Sequence, residues 1–203
     1  VYNGFEPLDF AGIAEEPSSV FRIVYAGSLQ TSHRDPSLLF DALDSLLANG
    51  SIDVCDCEVA FFGDASSNMA GLRGRRCEQL VKAKGHVERR EFLSIVTNSS
   101  VLLLLAHRHD KGLMTSKVFE YLGAGRPILS IPSDGDVIDA LLSETGAGAS
   151  ASTAEEVGRI LLEYYREWRD GGRVGCRGDS RAIARYTRRS QAARLAEVLA
   201  HAF

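Results

Sequence analysis

Thr115, Ser116, Lys117 and Glu120 stand at spacings that suit a phosphorylated ligand. They follow a run of strand character, Val101–Ala106, and open what reads as a short helix. Thr115 and Ser116 are expected to cap that helix through their side-chain oxygens. The backbone amides of Ser116, Lys117 and Val118 then face whatever lies before the helix. A helix start of this kind favours anions, phosphate above all. Lys117 adds positive charge there. Glu120 lies about one turn further on, where an ionised carboxylate can accept two hydrogen bonds from a diol. Its plainer role is an ion pair with Lys117. Gly123 and Gly125 are read as ending the helix, and Pro127 as stopping it before the next strand. The whole stretch, Asp110–Leu129, is read as holding the phosphates and sugar ring of a nucleotide.

The elements that must position these residues alternate along the chain. Phe21–Ala26 and Cys57–Phe62 read as strands, each followed by glycine, as Gly27-Ser28 and Gly63-Asp64. Leu38 to Leu47 recurs at helical spacing, with Pro36 at its start and Asn49-Gly50 at its end. Met69–Gln79 is read as a helix and Leu80–Ala83 as a strand running into Gly85-His86-Val87. Glu88–Asn98 reads as a helix and Val101–Ala106 as a strand. After the opening stretch come a strand at Pro127–Ile131, a helix at Val137–Glu144 and a short strand or turn at Gly146–Ser150. A long helix follows Thr153, with Tyr164, Tyr165 and Trp168 on its packed face. The last helix is expected from Arg181 to Ala202. This alternation predicts an α/β fold, a doubly wound, Rossmann-like parallel sheet with helices on both faces. Ligands of such sheets bind beyond the carboxyl ends of the strands. Gly27, Ser28, Gly63, His86, Val87 and the 107–116 loop, with Asp110 and Gly112, occupy those ends.

Composition narrows the function classes. The chain has 203 residues, 45% apolar and 25% charged, as ordinary globular proteins do. A formal charge of −4 argues against a dedicated nucleic-acid binder. No apolar run approaches the ~20 residues that span a bilayer. Cys55, Cys57, Cys77 and Cys176 lack the usual zinc spacing, so reduced thiols of a cytoplasmic protein are the better reading, and no metal site is assigned. Arginines crowd residues 159–194, either as a solvated face or as an attraction to anionic lipid head groups on the inner face of the membrane.

Taken in order, Thr115-Ser-Lys-Val-Phe-Glu-Tyr-Leu-Gly-Ala-Gly-Arg-Pro-Ile-Leu129 resembles the signature of retaining GT-B glycosyltransferases of the group 1 type, in their C-terminal, donor-binding domain. Tyr2–Phe10 resembles that family's interdomain linker, and Arg181–Phe203 its terminal helix. The resemblance divides the chain into a linker, 1–20, leading from an N-terminal domain, and a nucleotide-sugar-binding domain, 21–203. It implies glycosyl transfer from a nucleoside-diphosphate sugar with retention, without a metal or other cofactor. The acceptor would be held by the protein's own N-terminal domain, so the isolated domain is expected to be inactive. Glu120 matches the carboxylate that binds the donor ribose. Arg34 matches a cation that stabilises the departing diphosphate, and Lys117 is assigned the same role beside it. His86 and Val87 match the turn beside the base.

Two positions depart from the pattern. Gly112 stands eight residues before Glu120, where the family carries a second Glu, with Asp110 the nearest acid. Ser28 stands where an Arg usually follows the first-strand glycine. These departures keep open a non-catalytic binding module with a degenerate site; half of a sugar-nucleotide epimerase, an unrelated doubly wound protein, is a further alternative.

Overall fold

A computed structural model describes residues 1–27, 29, 34–64, 69–107, 112–176 and 178–202. Among these residues, six strands form one sheet: β1 (Phe21–Ala26), β2 (Cys57–Phe62), β3 (Val81–Gly85), β4 (Val101–Leu105), β5 (Ile128–Ile131) and β6 (Gly148–Ser150). Their order is β3-β2-β1-β4-β5-β6, and every adjacent pair is parallel. That is the doubly wound, Rossmann-like arrangement expected from the alternation. The chain reverses direction across the sheet between β1 and β4, which opens a crevice at their carboxyl ends.

Strand periodicity explains why the central strands are apolar throughout. Along β1, Phe21, Ile23 and Tyr25 enter one core, while Val24 and Ala26 enter the other. Strands β2 and β4 split the same way, Val59 and Phe61 against Ala60 and Phe62, and Leu103 against Leu102. Helices α1 (Ser37–Ala48) and α5 (Ala154–Gly171) cover the first face. Helices α2 (Arg89–Thr97), α3 (Ser116–Ala124) and α4 (Val137–Thr145) cover the second. Thr153 closes α5 with a capping box through Glu156. The ring of Phe21 meets Tyr165 edge-on at 5.6 Å, and Trp168 lies 6.0 Å away, so the aromatic stripe of α5 is packing.

Several element readings need correction. Residues 69–79 form no α-helix but two 3-10 turns, Ala70–Leu72 and Arg76–Leu80. Gly74, with φ 75°, lies between them in a conformation no helix continues through. The predicted terminal helix is two helices, α6 (Ser180–Ala184) and α7 (Arg188–Ala202). The break is tertiary: Phe5 donates to the Tyr186 carbonyl at 3.1 Å and accepts from the Arg188 amide at 2.8 Å. Pairing Thr187 with Phe5 takes those residues out of any continuous helix. Gly123 does not end α3 but lies inside it; a Cβ there would stand 2.5 Å from the Phe10 ring. The helix ends instead at Gly125, in the left-handed conformation.

Residues 1–20 dock on the domain. Phe5 is buried and Pro7–Phe10 forms a 3-10 turn against α2 and α3. Further on, Asn98 brackets the segment, donating to the Ala14 carbonyl and accepting from the Glu16 amide. Arg126, only 3% exposed, donates to the carbonyls of Thr97 and Val174 and to Glu15.

Candidate functional site

A cavity of about 270 Å³ opens at the carboxyl ends of β1, β2 and β3, beside the first turns of α2 and α3. Six residues expected at the site line it: Gly27, Gly63, His86, Val87, Lys117 and Glu120. Arg89, Phe92, Ala26 and Phe62 complete the walls. These residues come from positions 26 to 120 in sequence, and the parallel sheet brings them together.

Backbone glycines make the floor. The Gly27 amide donates to the Phe62 carbonyl at 2.9 Å, and the Gly63 amide to the Gly85 carbonyl at 2.7 Å. Gly63 has φ 104°, and a Cβ there would stand 2.7 Å from the Gly27 carbonyl oxygen. A side chain at 63 would therefore strain the backbone and force β1 and β2 apart at the cavity. The end of β1 is held from behind: the Ala26 amide donates to the Tyr121 phenol oxygen at 3.0 Å. Burial pushes the Tyr121 phenol up, so it stays neutral and acts as acceptor and packing group.

The first turns of α2 and α3 supply the charges. Arg89 donates to Glu120 Oε1 at 3.0 Å and to Asp9 Oδ2 at 2.6 Å. Lys117 Nζ lies 3.6 Å from Glu120 Oε2 and 5.0 Å from the centre of the Phe92 ring. The ion pair weighed for Glu120 therefore exists, with Arg89 as its closer partner. Arg89 itself escaped the sequence reading, because its partners lie 31 and 80 residues away.

The other expected residues fall around this cavity rather than in its wall. Thr115 precedes α3 but caps it with no side-chain hydrogen bond, contrary to expectation. Its Oγ1 is buried without a partner among the described residues. The Val118 amide donates to the Thr115 carbonyl at 3.3 Å, and the Val118 side chain is core. Ser116 is exposed at the first helical position. Arg34 Nε lies 3.4 Å from His107 Nε2, beside Tyr25, near the ends of β1 and β4. Burial pushes the Tyr25 phenol up, and the adjacent Arg34 opposes this. Gly112 is exposed and its amide donates to Asp136 Oδ2 at 2.6 Å. Ser28 and Asp110 lie outside the described residues.

The thiols take no part. Among the described residues all four cysteines are free, and burial pushes Cys57 and Cys77 each up to about 12. No group of three or more His, Cys, Asp or Glu side chains among the described residues is arranged to hold a metal ion. Among the same residues no helix is long and apolar enough to cross a membrane.

Solved structures similar to this one include glycosyltransferases. A family profile described as glycosyl transferase-like matches residues 39–197, well over half of the chain. No curated protein matches the chain. Among solved structures, the Anabaena protein Alr3699/HepE in complex with UDP superposes with a TM-score of 0.73 at 14% identity, over 99% of this chain and 57% of that one. A glycosyltransferase from Rickettsia africae gives 0.72 at 11% identity, over 98% and 55%. The pneumococcal O-GlcNAc transferase GtfA, in complex with UDP and GlcNAc, gives 0.60 at 14% identity, over 92% and 37%. The chain thus spans about half the length of the first two, and at these identities the likeness is one of fold. The profile match shows that the chain belongs to the glycosyl transferase-like family, and its sheet is that of a GT-B C-terminal domain.

Proposed function

We propose that this chain binds a nucleoside-diphosphate sugar and serves as the donor half of a retaining glycosyltransferase. The observation that carries the reading is the cavity at the crevice end of the sheet. It gathers Gly27, Gly63, His86, Val87, Lys117 and Glu120 around one cavity. In this reading His86 and Val87 flank the base, Glu120 takes the ribose hydroxyls, and the amides at the start of α3 face the diphosphate. UDP in the Anabaena and pneumococcal structures makes UDP the first ligand to try.

The chemistry follows from charge. As the bond from anomeric carbon to phosphate oxygen breaks, negative charge grows on the leaving diphosphate. Lys117, Arg34 and the helix-start amides stabilise that charge as it develops, in a role other enzymes give to a metal. Chelation by EDTA should therefore leave donor binding unchanged.

The remaining machinery belongs to a partner domain. Leu195, Val198 and Leu199 lie at helical spacing on α7 and are 46%, 54% and 51% exposed. They support docking against the protein's own N-terminal, acceptor-holding domain, so the isolated chain should bind donor with little or no sugar transfer. Gly112, which offers no carboxylate to a transferred sugar, favours the second reading, a binding module without catalysis. Exposed Arg188, Arg189 and Arg194 support a cytoplasmic protein in peripheral contact with anionic membrane, and co-sedimentation with vesicles of graded anionic content tests that.

Calorimetric titration with UDP tests the donor site. Glu120→Ala should weaken binding by about 1–3 kcal/mol, the loss expected for hydrogen bonds to a charged group. Failure of the wild-type chain to bind UDP and GDP at millimolar concentration contradicts the proposal.

A further inference from the structure

We propose that Arg89 is a positioning residue that holds Glu120 ready for a ribose diol, and that Asp9 holds Arg89 in turn. This rests on the nucleotide reading of the cavity. Arg89 opens α2, at the positive end of the helix dipole, where a cation is disfavoured. Two carboxylates offset that placement, and they come from different parts of the chain. Nη1 meets Glu120 on α3, and Nη2 meets Asp9 in the 3-10 turn of residues 7–10. A guanidinium fork can direct separate N–H groups at two carboxylates in one fixed geometry, which an ammonium group does not fix.

The consequence for Glu120 is orientation. Its Oε1 is taken by Arg89, while Oε2 faces Lys117 at 3.6 Å, beyond a good hydrogen bond. The carboxylate is thereby pinned through one oxygen, with lone pairs of the other left for ligand hydroxyls. Arg89 and Glu120 both line the cavity, so the pinned edge and the open edge belong to one wall. Asp9 is not among the lining residues; it acts through Arg89 alone. Docking of the 7–10 turn and binding of a diol at Glu120 share one guanidinium. The two events must therefore be coupled, each strengthening the other.

A different role for Arg89 is direct attraction of the diphosphate, and the two roles separate in one experiment. UDP and 2′-deoxy-UDP are titrated calorimetrically into the full chain, wild type and variants. The wild type should prefer UDP by at least about tenfold, since the lost hydroxyl bonded a charged group. Arg89→Ala should cut that preference to within about twofold, and saturable 2′-deoxy-UDP binding by the variant shows that it is folded. Arg89→Lys should restore only part of it. Asp9→Asn should weaken UDP by a few-fold, although it removes a negative charge from the neighbourhood. Retention of the wild-type preference in Arg89→Ala overturns the proposal. So does an equal loss for both ligands, or tighter UDP binding by Asp9→Asn. If the diol reading itself is wrong, the wild type shows no preference and Glu120→Ala is indifferent to the ribose, a pattern distinct from those failures.

Discussion

Arg126 and Arg89 both tie residues 1–20 to the domain, at opposite ends of the sheet, in opposite ways. Arg126 sits below the amino ends of the strands with its side chain 3% exposed, and three acceptors use its guanidinium. Arg89 sits at the carboxyl ends with its side chain 52% exposed, in the wall of a cavity, shared between two carboxylates. Both bond an acid of the same segment, Glu15 below and Asp9 above. Where the arginine is buried and bonded through all three of its nitrogens, its work is structural. Where it is half-exposed beside an incompletely bonded carboxylate, the same pairing leaves hydrogen-bonding capacity open. The chemistry of this fold therefore gathers at one end of the sheet, and its anchorage at the other.

Substitutions can break that contrast. Arg126→Ala should have the largest effect, about 3 kcal/mol lost to urea unfolding, because the Thr97 and Val174 carbonyls lose a buried donor. UDP affinity of the folded protein should be unchanged; a large loss of affinity would erase the distinction between the two ends. Gly63→Ala should cost about 2 kcal/mol through backbone strain and close the floor of the cavity, so that stability and UDP affinity fall together. Tyr121→Phe removes the acceptor of the Ala26 amide and should cost about 1 kcal/mol, with UDP binding weakened less than stability.

The smallest effect concerns acid. Burial pushes the Asp139 carboxyl up, but hydrogen bonds from Ser133 and the Gly135 amide outweigh it and hold the group below the usual range. Its contribution is present above the unfolded value near pH ~4 and is lost as pH falls through the lower folded value. Solvent screening keeps it under about 1 kcal/mol, and Asp139→Asn should flatten the acid limb of the stability curve by that amount.

How far the sequence discloses this molecule depends on where the determining partners lie. Strands β1 and β2 are legible residue for residue, because burial on both faces leaves compact, largely apolar runs that end at glycines. Strand β3 is less so: at the sheet edge it carries Lys82 and Lys84, both exposed, and its bounds shift from 80–83 to 81–85. The segment 69–79 is poorly patterned, and Gly74 breaks the backbone between the two 3-10 turns that form there. The split between α6 and α7 has no local signal, since it is imposed by Phe5, far away in the chain. At the site, Lys117 and Glu120 declare themselves through a local motif. Arg89 and Tyr121 do not, because one draws its meaning from Asp9 and Glu120, and the other from the amide of Ala26.

The central claim is that the cavity at the carboxyl ends of β1–β3 receives a nucleoside diphosphate, with Glu120 on its ribose. Its most direct test is a calorimetric titration of UDP into the wild-type chain and into Glu120→Ala. The account predicts saturable binding by wild type and a loss of about 1–3 kcal/mol in the variant. Equal UDP affinity in the two proteins, or binding of neither UDP nor GDP by wild type at millimolar ligand, would contradict it.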